Sequence, residues 1–257
     1  GSEMCIRDSS MHLGGIQSQI RILVKSTILL TMLFTFSASA GDGDLSVPSS
    51  DVKLSTTQPK DTTESEDLAS RLFREDRITL EFMTGVMFSP CGLGPHEPVY
   101  NYQQNNVRLG WMLVSPDDKE NPFRDTPFRG NFEALFETTG SYVWETFGTY
   151  MVGVTGLIRY NFVQPNWIVV PYIQGGAGVI YTNARNWSNQ EAIGGNWEFT
   201  PQFAGGLKFL IDDNFSFNLE GAFQHISNAN TSARNEGVNA YGGFAGFTYF
   251  FDKTWDD

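Results

Sequence analysis

From Arg77 onward the chain alternates apolar and polar residues with period two, in segments separated by turn-forming clusters. The pattern predicts eight strands, at about 77–88, 105–115, 130–140, 147–162, 167–182, 196–211, 214–227 and 239–251. In the first, Ile78, Leu80, Phe82, Val86 and Phe88 share one face, and Arg77, Thr79, Glu81 and Gly85 share the other. In the fourth, Tyr150, Val152, Val154, Ile158 and Tyr160 oppose Thr149, Gly153, Thr155, Arg159 and Asn161. The separators Ser115-Pro116-Asp117-Asp118, Gln164-Pro165-Asn166 and Asp212-Asp213-Asn214 are turn chemistry. After residue 40 no segment carries a long helical apolar pattern.

A soluble sandwich alternates as well, so the period alone leaves two architectures open. Three features separate them. The strands run about 10–15 residues, the length of a tilted bilayer crossing. The apolar face is strongly aromatic, with Tyr, Trp and Phe near strand ends, as in interfacial girdles. The polar face carries Glu81, Arg108, Glu133, Glu137, Arg159, Lys208 and Glu220 among small residues. The narrow interior of an eight-stranded barrel can hold such charges if they pair across the lumen. The expectation is an all-β, eight-stranded antiparallel transmembrane barrel of the outer-membrane type, with a lumen filled by side chains. With both termini on the periplasmic side, the short turns at 163–166 and 212–213 fall on that side. The longer segments 89–104, 141–146, 183–195 and 228–238 fall outside. Segment 116–129 is long for a periplasmic turn and fits this scheme least well.

The N-terminal part agrees with export. Met11 to Ala40 reads as a secretory signal peptide: Arg21 and Lys25 are its basic region, Ile28 to Phe36 its apolar stretch, and Ala38-Ser39-Ala40 its cleavage site. Gly1 to Ser10 precede this start and are read as an upstream artefact. Residues 41–74 form an acidic segment poor in aromatics and expected to be disordered, with a helical turn available around 67–74. The barrel domain is then 75–257. Removing residues 1–40 leaves 14 basic and 27 acidic residues, a net charge of −13. That balance excludes a nucleic-acid partner, which calls for basic patches. Only Cys91 survives maturation, so no internal disulfide is available, and no Cys/His cluster has metal-ligand spacing. No cofactor is expected, and the oligomeric state is open.

One strand ends unusually. In Phe215 to Ser227, the residues Phe215, Phe217, Leu219, Gly221 and Phe223 form the lipid-facing set. His225 and Ser227 continue that parity, because side chains two apart share a face. A His and a Ser therefore emerge on the outside of the barrel near the outer leaflet, while Ile226 points inward. His225 can act as a general base for the Ser227 hydroxyl. Asn239, at the start of the last strand, shares the outward parity and can orient the imidazole. Asn228 can donate to an oxyanion through its side-chain amide or backbone N–H. The bland alternative is a strand that simply ends in interfacial polar residues.

His225-Ile226-Ser227-Asn228-Ala229, followed by Asn235-Glu236-Gly237-Val238-Asn239 and an aromatic last strand, resembles the lipid A 3-O-deacylase (acyloxyacyl hydrolase) family of outer-membrane barrels. The runs Pro171 to Gly178 and Pro201 to Gly206 are similar too. The resemblance implies an eight-stranded barrel in the outer membrane that hydrolyses an ester-linked acyl chain of lipid A. It implies Ser227 as nucleophile, His225 as base and Asn228 near the oxyanion. The family's acidic member falls on Asn239, a departure that puts a neutral amide where a carboxylate is the rule. Glu236 lies nearby as a substitute, though it reads more simply as a solvated loop charge. The competing classes are a non-enzymatic barrel for envelope integrity or adhesion and a different acyl-transfer enzyme on the same scaffold.

Overall fold

The alternation materialises as nine strands in an antiparallel sheet: β1 (Arg77–Phe88), β2 (Tyr102–Met112), β3 (Asn131–Val143), β4 (Tyr150–Asn161), β5 (Val169–Thr182), β6 (Trp197–Phe199), β7 (Gln202–Leu210), β8 (Phe215–Ile226) and β9 (Val238–Thr254). This computed structural model describes residues 67–89, 98–119 and 121–254, the side chains of 252–254 excepted. The signal peptide, the upstream residues, the acidic segment up to residue 66 and Cys91 lie outside the described residues. Each strand pairs with its neighbours, β1 pairs with β9, and β4 pairs with β5, so the sheet closes on itself.

Nine strands make eight staves. β6 and β7 keep one register against β5 on one side and β8 on the other: Val179 faces Phe199 as Gly176 faces Gln202, and Phe199 bridges Ser227 as Gln202 faces Gln224. The break falls at Thr200-Pro201, where proline has no N–H to give to the ladder. The expected strand at 196–211 is therefore one stave with an interruption. β2 starts and ends three residues earlier than its pattern suggested.

Closure sorts the two faces. Thr79, Glu81, Arg108, Glu133, Glu137, Arg159, Lys208 and Glu220 are buried in the lumen. Arg108 reaches Glu81 at 2.8 Å, Glu137 at 2.7 Å and Glu220 at 2.8 Å. Arg159 pairs with Glu81 at 2.7 Å and Glu133 at 3.3 Å, and Lys208 pairs with Glu81 at 2.6 Å. These charges sit between two apolar layers. Towards the end that carries the 183–196 and 227–237 connections, here the outer end, Met83, Met87, Tyr102, Phe147, Ile180, Ile193, Ile226 and Val238 pack together. At the inner end a helix, α1 (Leu68–Leu72), contributes Ala69 and Leu72 to a layer with Phe73, Met112, Val163, Val170 and Phe250.

α1 begins at Asp67, whose Oδ1 accepts hydrogen bonds from the Ala69 and Ser70 N–H groups at 2.9 and 3.2 Å. A capping oxygen of this kind satisfies donors the helix cannot pair itself. Burial pushes the Asp67 carboxyl up, but the hydrogen bonds from Ser70, Asn166 and Ala69 outweigh it and hold the carboxyl below its usual value. The long inner connection between β2 and β3 is a chain of successive tight turns, with N–H groups of Asp118, Asn121, Arg124, Thr126 and Arg129 each donating three residues back. Arg129 ties it to α1 through Ser70 Oγ at 2.9 Å and to Asp117 at 2.6 Å. The segment is long because it helps close the inner end.

The outward face is an apolar belt with aromatic rims. Phe88 meets Trp144 and Tyr181 meets Trp197 at the outer end, with ring centroids 6.3 and 5.3 Å apart. Phe132, Tyr160 and Phe162, and Phe215, Tyr249 and Phe251, form edge-on or tilted contacts at the inner end. Two polar patches interrupt this belt. One is Thr84, Gln103 and Asn105, which hydrogen-bond one another. The other is the outer end of β8 and β9.

Candidate active site

The parity of β8 carries through its outer end. Ile226 is fully buried in the lumen, whereas His225 and Ser227 are partly exposed on the lipid-facing side. The β8–β9 register sets His225 directly opposite Asn239, and His225 Nδ1 lies 2.6 Å from Asn239 Oδ1. An amide oxygen only accepts, so Nδ1 carries the hydrogen in this contact, which in a neutral imidazole leaves the lone pair on Nε2. Among the described residues the Ser227 side chain makes no hydrogen bond to His225; its backbone is held by exchange with Phe199, N to O at 3.1 and 2.7 Å. Phe199 and Trp197, both exposed, flank the serine on the β6 side.

Gly237 is a site residue that the strand pattern gave no reason to single out. It has φ of +79°, which favours glycine, and a Cβ there would lie 3.1 Å from His225 Cε1 and 3.7 Å from Nε2. Its Cα therefore packs against the imidazole edge that bears the free nitrogen. The only signal in the sequence is a glycine two residues before Asn239. The Gly237 N–H donates to Ala192 O at 3.0 Å and Glu236 N–H to Glu191 O at 3.0 Å, which ties this turn to the 183–196 connection. That connection is braced by Arg234, whose guanidinium donates to the carbonyls of Trp187, Gln190 and Arg185.

Asn228 lies inward and is fully buried. Its N–H donates to Asn235 Oδ1 at 2.7 Å and its Nδ2 donates to Arg234 O at 2.8 Å. Both kinds of donor named for an oxyanion are thus engaged in the loop. The next two residues, Ala229 and Asn230, have φ of 52° and 63°, and Thr231 N–H donates to Asn228 O at 3.1 Å, which makes a type I′ turn. Glu236 is exposed and makes no hydrogen bond or ion pair to His225. Among the described residues no group of three or more His, Cys, Asp or Glu side chains is placed to hold a metal ion.

Below the site the belt is ordered in rows across β7, β8 and β9: Phe203, Phe223 and Tyr241, then Gly205, Gly221 and Gly243, then Leu207, Leu219 and Ala245. Phe203 and Phe223 stack with centroids 5.0 Å apart.

The sequence of residues 105–248, more than half the chain, matches the family model described as lipid A 3-O-deacylase (PagL). The chain belongs to the lipid A 3-O-deacylase family. It is a protein of the outer membrane of Gram-negative-type bacteria. No curated protein sequence matches it significantly. Among solved structures it is similar to the outer membrane enzyme PagL, at 18% identity and a TM-score of 0.45, covering 65% of this chain and 97% of that one. It is also similar to Neisserial surface protein A, at 12% identity and a TM-score of 0.47, covering 68% and 97%. A third likeness is the N-terminal β-barrel domain of Pseudomonas aeruginosa OprF, at 12% identity and a TM-score of 0.42, covering 69% and 98%.

Proposed function

We propose that this barrel is a serine esterase that removes an ester-linked acyl chain from lipid A in the outer leaflet, with Ser227 as nucleophile and His225 as general base. The observation that carries the reading is the 2.6 Å contact of His225 Nδ1 with Asn239 Oδ1 on the lipid-facing side. It fixes the tautomer in which Nε2 can take a proton, on the face where Ser227 also emerges. Polar groups on a lipid-facing register are costly, which gives a His and a Ser emerging together there a reason to be functional. Membership in the lipid A 3-O-deacylase family supports the substrate class.

The chemistry balances without any other group. His225 Nε2 takes the Ser227 proton as Oγ attacks the ester carbonyl, and the carbonyl electrons move onto oxygen. Collapse breaks the bond to the sugar oxygen, which leaves with the proton from the imidazolium. Water, deprotonated by the same base, then cleaves the acyl-enzyme and frees the fatty acid. Alignment of Oγ with Nε2 accompanies substrate binding, since such hydrogen bonds often tighten only in the complex. From the site the acyl chains run down the belt over Phe223 and Leu219 and the neighbouring rings, toward Phe217 and Phe215. Asn239 holds the ring but stabilises imidazolium less than a carboxylate does. For the oxyanion, Asn228 remains the candidate by resemblance. In this structure its side chain faces the lumen and its backbone N–H is donated to Asn235, so serving an oxyanion at Ser227 requires the 227–237 connection to rearrange when substrate binds.

Purified protein incubated with lipopolysaccharide in detergent releases a fatty acid on this reading, and Ser227→Ala abolishes the release. Release that survives the substitution overturns it. A non-enzymatic barrel leaves lipid A intact, and an acyltransferase adds a chain.

A further inference from the structure

On the lumen side of Ser227 lies a buried carboxyl that the esterase chemistry does not use. Glu198, in β6, is 1% exposed. Its Oε1 accepts the Gly195 N–H at 2.8 Å, and its Oε2 has no partner. Phe199 and Ser227 exchange both backbone hydrogen bonds, which makes Glu198 and Asn228 the next, non-hydrogen-bonded cross-strand pair, both buried and facing inward, where opposed side chains lie closest. Asn228 turns its Nδ2 to Arg234 O, so its amide orientation is set from elsewhere. Its Oδ1 is buried and likewise without a partner.

Two buried acceptors side by side are costly, because each forfeits its hydration and gains nothing. Among the described residues no cation pairs with Glu198. The lumen cations Arg108, Arg159 and Lys208 are bound to Glu81, Glu133, Glu137 and Glu220, and Arg234 is spent on backbone carbonyls. Tyr100, another buried ionisable side chain, lies within the field of Glu198, and its hydroxyl is neutral rather than cationic. A single hydrogen satisfies both orphaned oxygens.

We propose that Glu198 is protonated in the folded protein and donates through Oε2 to Asn228 Oδ1, acting as a positioning residue for the nucleophile. The bond ties β6 to the first residue of the 227–237 connection. Together with the Phe199–Ser227 backbone exchange it holds Ser227 from both sides. Ionisation of Glu198 sets a charge against the Asn228 carbonyl and loosens that hold. The positioning role rests on the esterase reading; the proton does not.

The test pairs Glu198→Gln with Glu198→Ala in the full-length protein in detergent. The glutamine amide can donate where the acid hydrogen did while its oxygen still accepts from Gly195. Wild type minus Glu198→Gln in the infrared should show the carbonyl stretch of a protonated carboxyl. With lipopolysaccharide as substrate, Glu198→Ala should lower kcat about tenfold or more with little change in KM, the scale expected of a small misplacement of the reacting groups. Glu198→Gln should restore kcat and extend activity to higher pH. Absence of the infrared band overturns the proton assignment whether or not the protein is an esterase. A Glu198→Gln enzyme as slow as Glu198→Ala overturns the positioning role.

Discussion

The lumen and the outer end of the β8–β9 seam are both polar, and they are finished differently. Glu81 receives Arg108, Arg159 and Lys208 within 2.8 Å, and Asn218 and Thr248 donate to it as well. At the seam, His225 is tied through Nδ1 to Asn239, while its Nε2 and Ser227 Oγ make no hydrogen bond to each other. Thr84, Gln103 and Asn105 show that a lipid-facing polar group can also be closed off by its neighbours. Completed polar networks rigidify a fold. A site keeps a proton acceptor and a nucleophile available, and on the proposed reading this seam is where the barrel does so.

Breaking the lumen should have the largest effect. Glu81→Leu leaves three cations short of a partner, and losing one member of a buried ion cluster costs about 3–5 kcal/mol. The folded fraction in a urea titration should fall accordingly, and activity with it. Breaking the seam should do the reverse. Ser227→Ala or His225→Ala should lower deacylation by about 10³-fold or more while the urea midpoint stays put, because neither side chain packs the interior.

Smaller changes sharpen the contrast. Gly237→Ala places a Cβ against His225 and strains a backbone of positive φ, so kcat should drop about tenfold with the barrel intact. Asn239→Glu restores a carboxylate partner to imidazolium and should raise kcat by about tenfold, with KM unchanged. The smallest effect is expected at the inner end. Asp67→Ala removes the helix cap and should cost about 1 kcal/mol. Since the Asp67 carboxyl is held below its usual value, its contribution is present above the unfolded value near 3.9 and is lost as pH falls through the folded one. Wild-type and Asp67→Ala stabilities should therefore converge on acidification below that range.

Much of this was legible in the chain because period-two parity is a local property. Phe215 to Phe223 fix which way β8 faces, and the same count carries His225 and Ser227 outward and Ile226 inward. Asn239 follows because β9 begins where β8 leaves off, so hairpin register and parity together set it opposite His225. The lumen charges could be named for the same reason. What parity does not contain is side-chain direction. That Asn228 gives Nδ2 to Arg234, that Gly237 backs the imidazole, and that Glu198 and Asn228 leave oxygens unpaired depend on the path of the 183–196 and 227–237 connections. The interruption at Thr200-Pro201 was written in the proline, but the continuity of register across it comes only from pairing on both sides. The helical turn near residue 70 was visible as local chemistry; its use in closing the inner end was not.

The most direct test of the lipid-facing site is the mass of lipid A from cells expressing the wild-type protein, the Ser227→Ala variant at equal membrane level, or neither. Wild-type lipid A should lose the mass of one ester-linked acyl chain, while the Ser227→Ala sample matches cells without the gene. Lipid A of unchanged mass in all three, or the same loss from Ser227→Ala, would contradict a serine esterase at this seam.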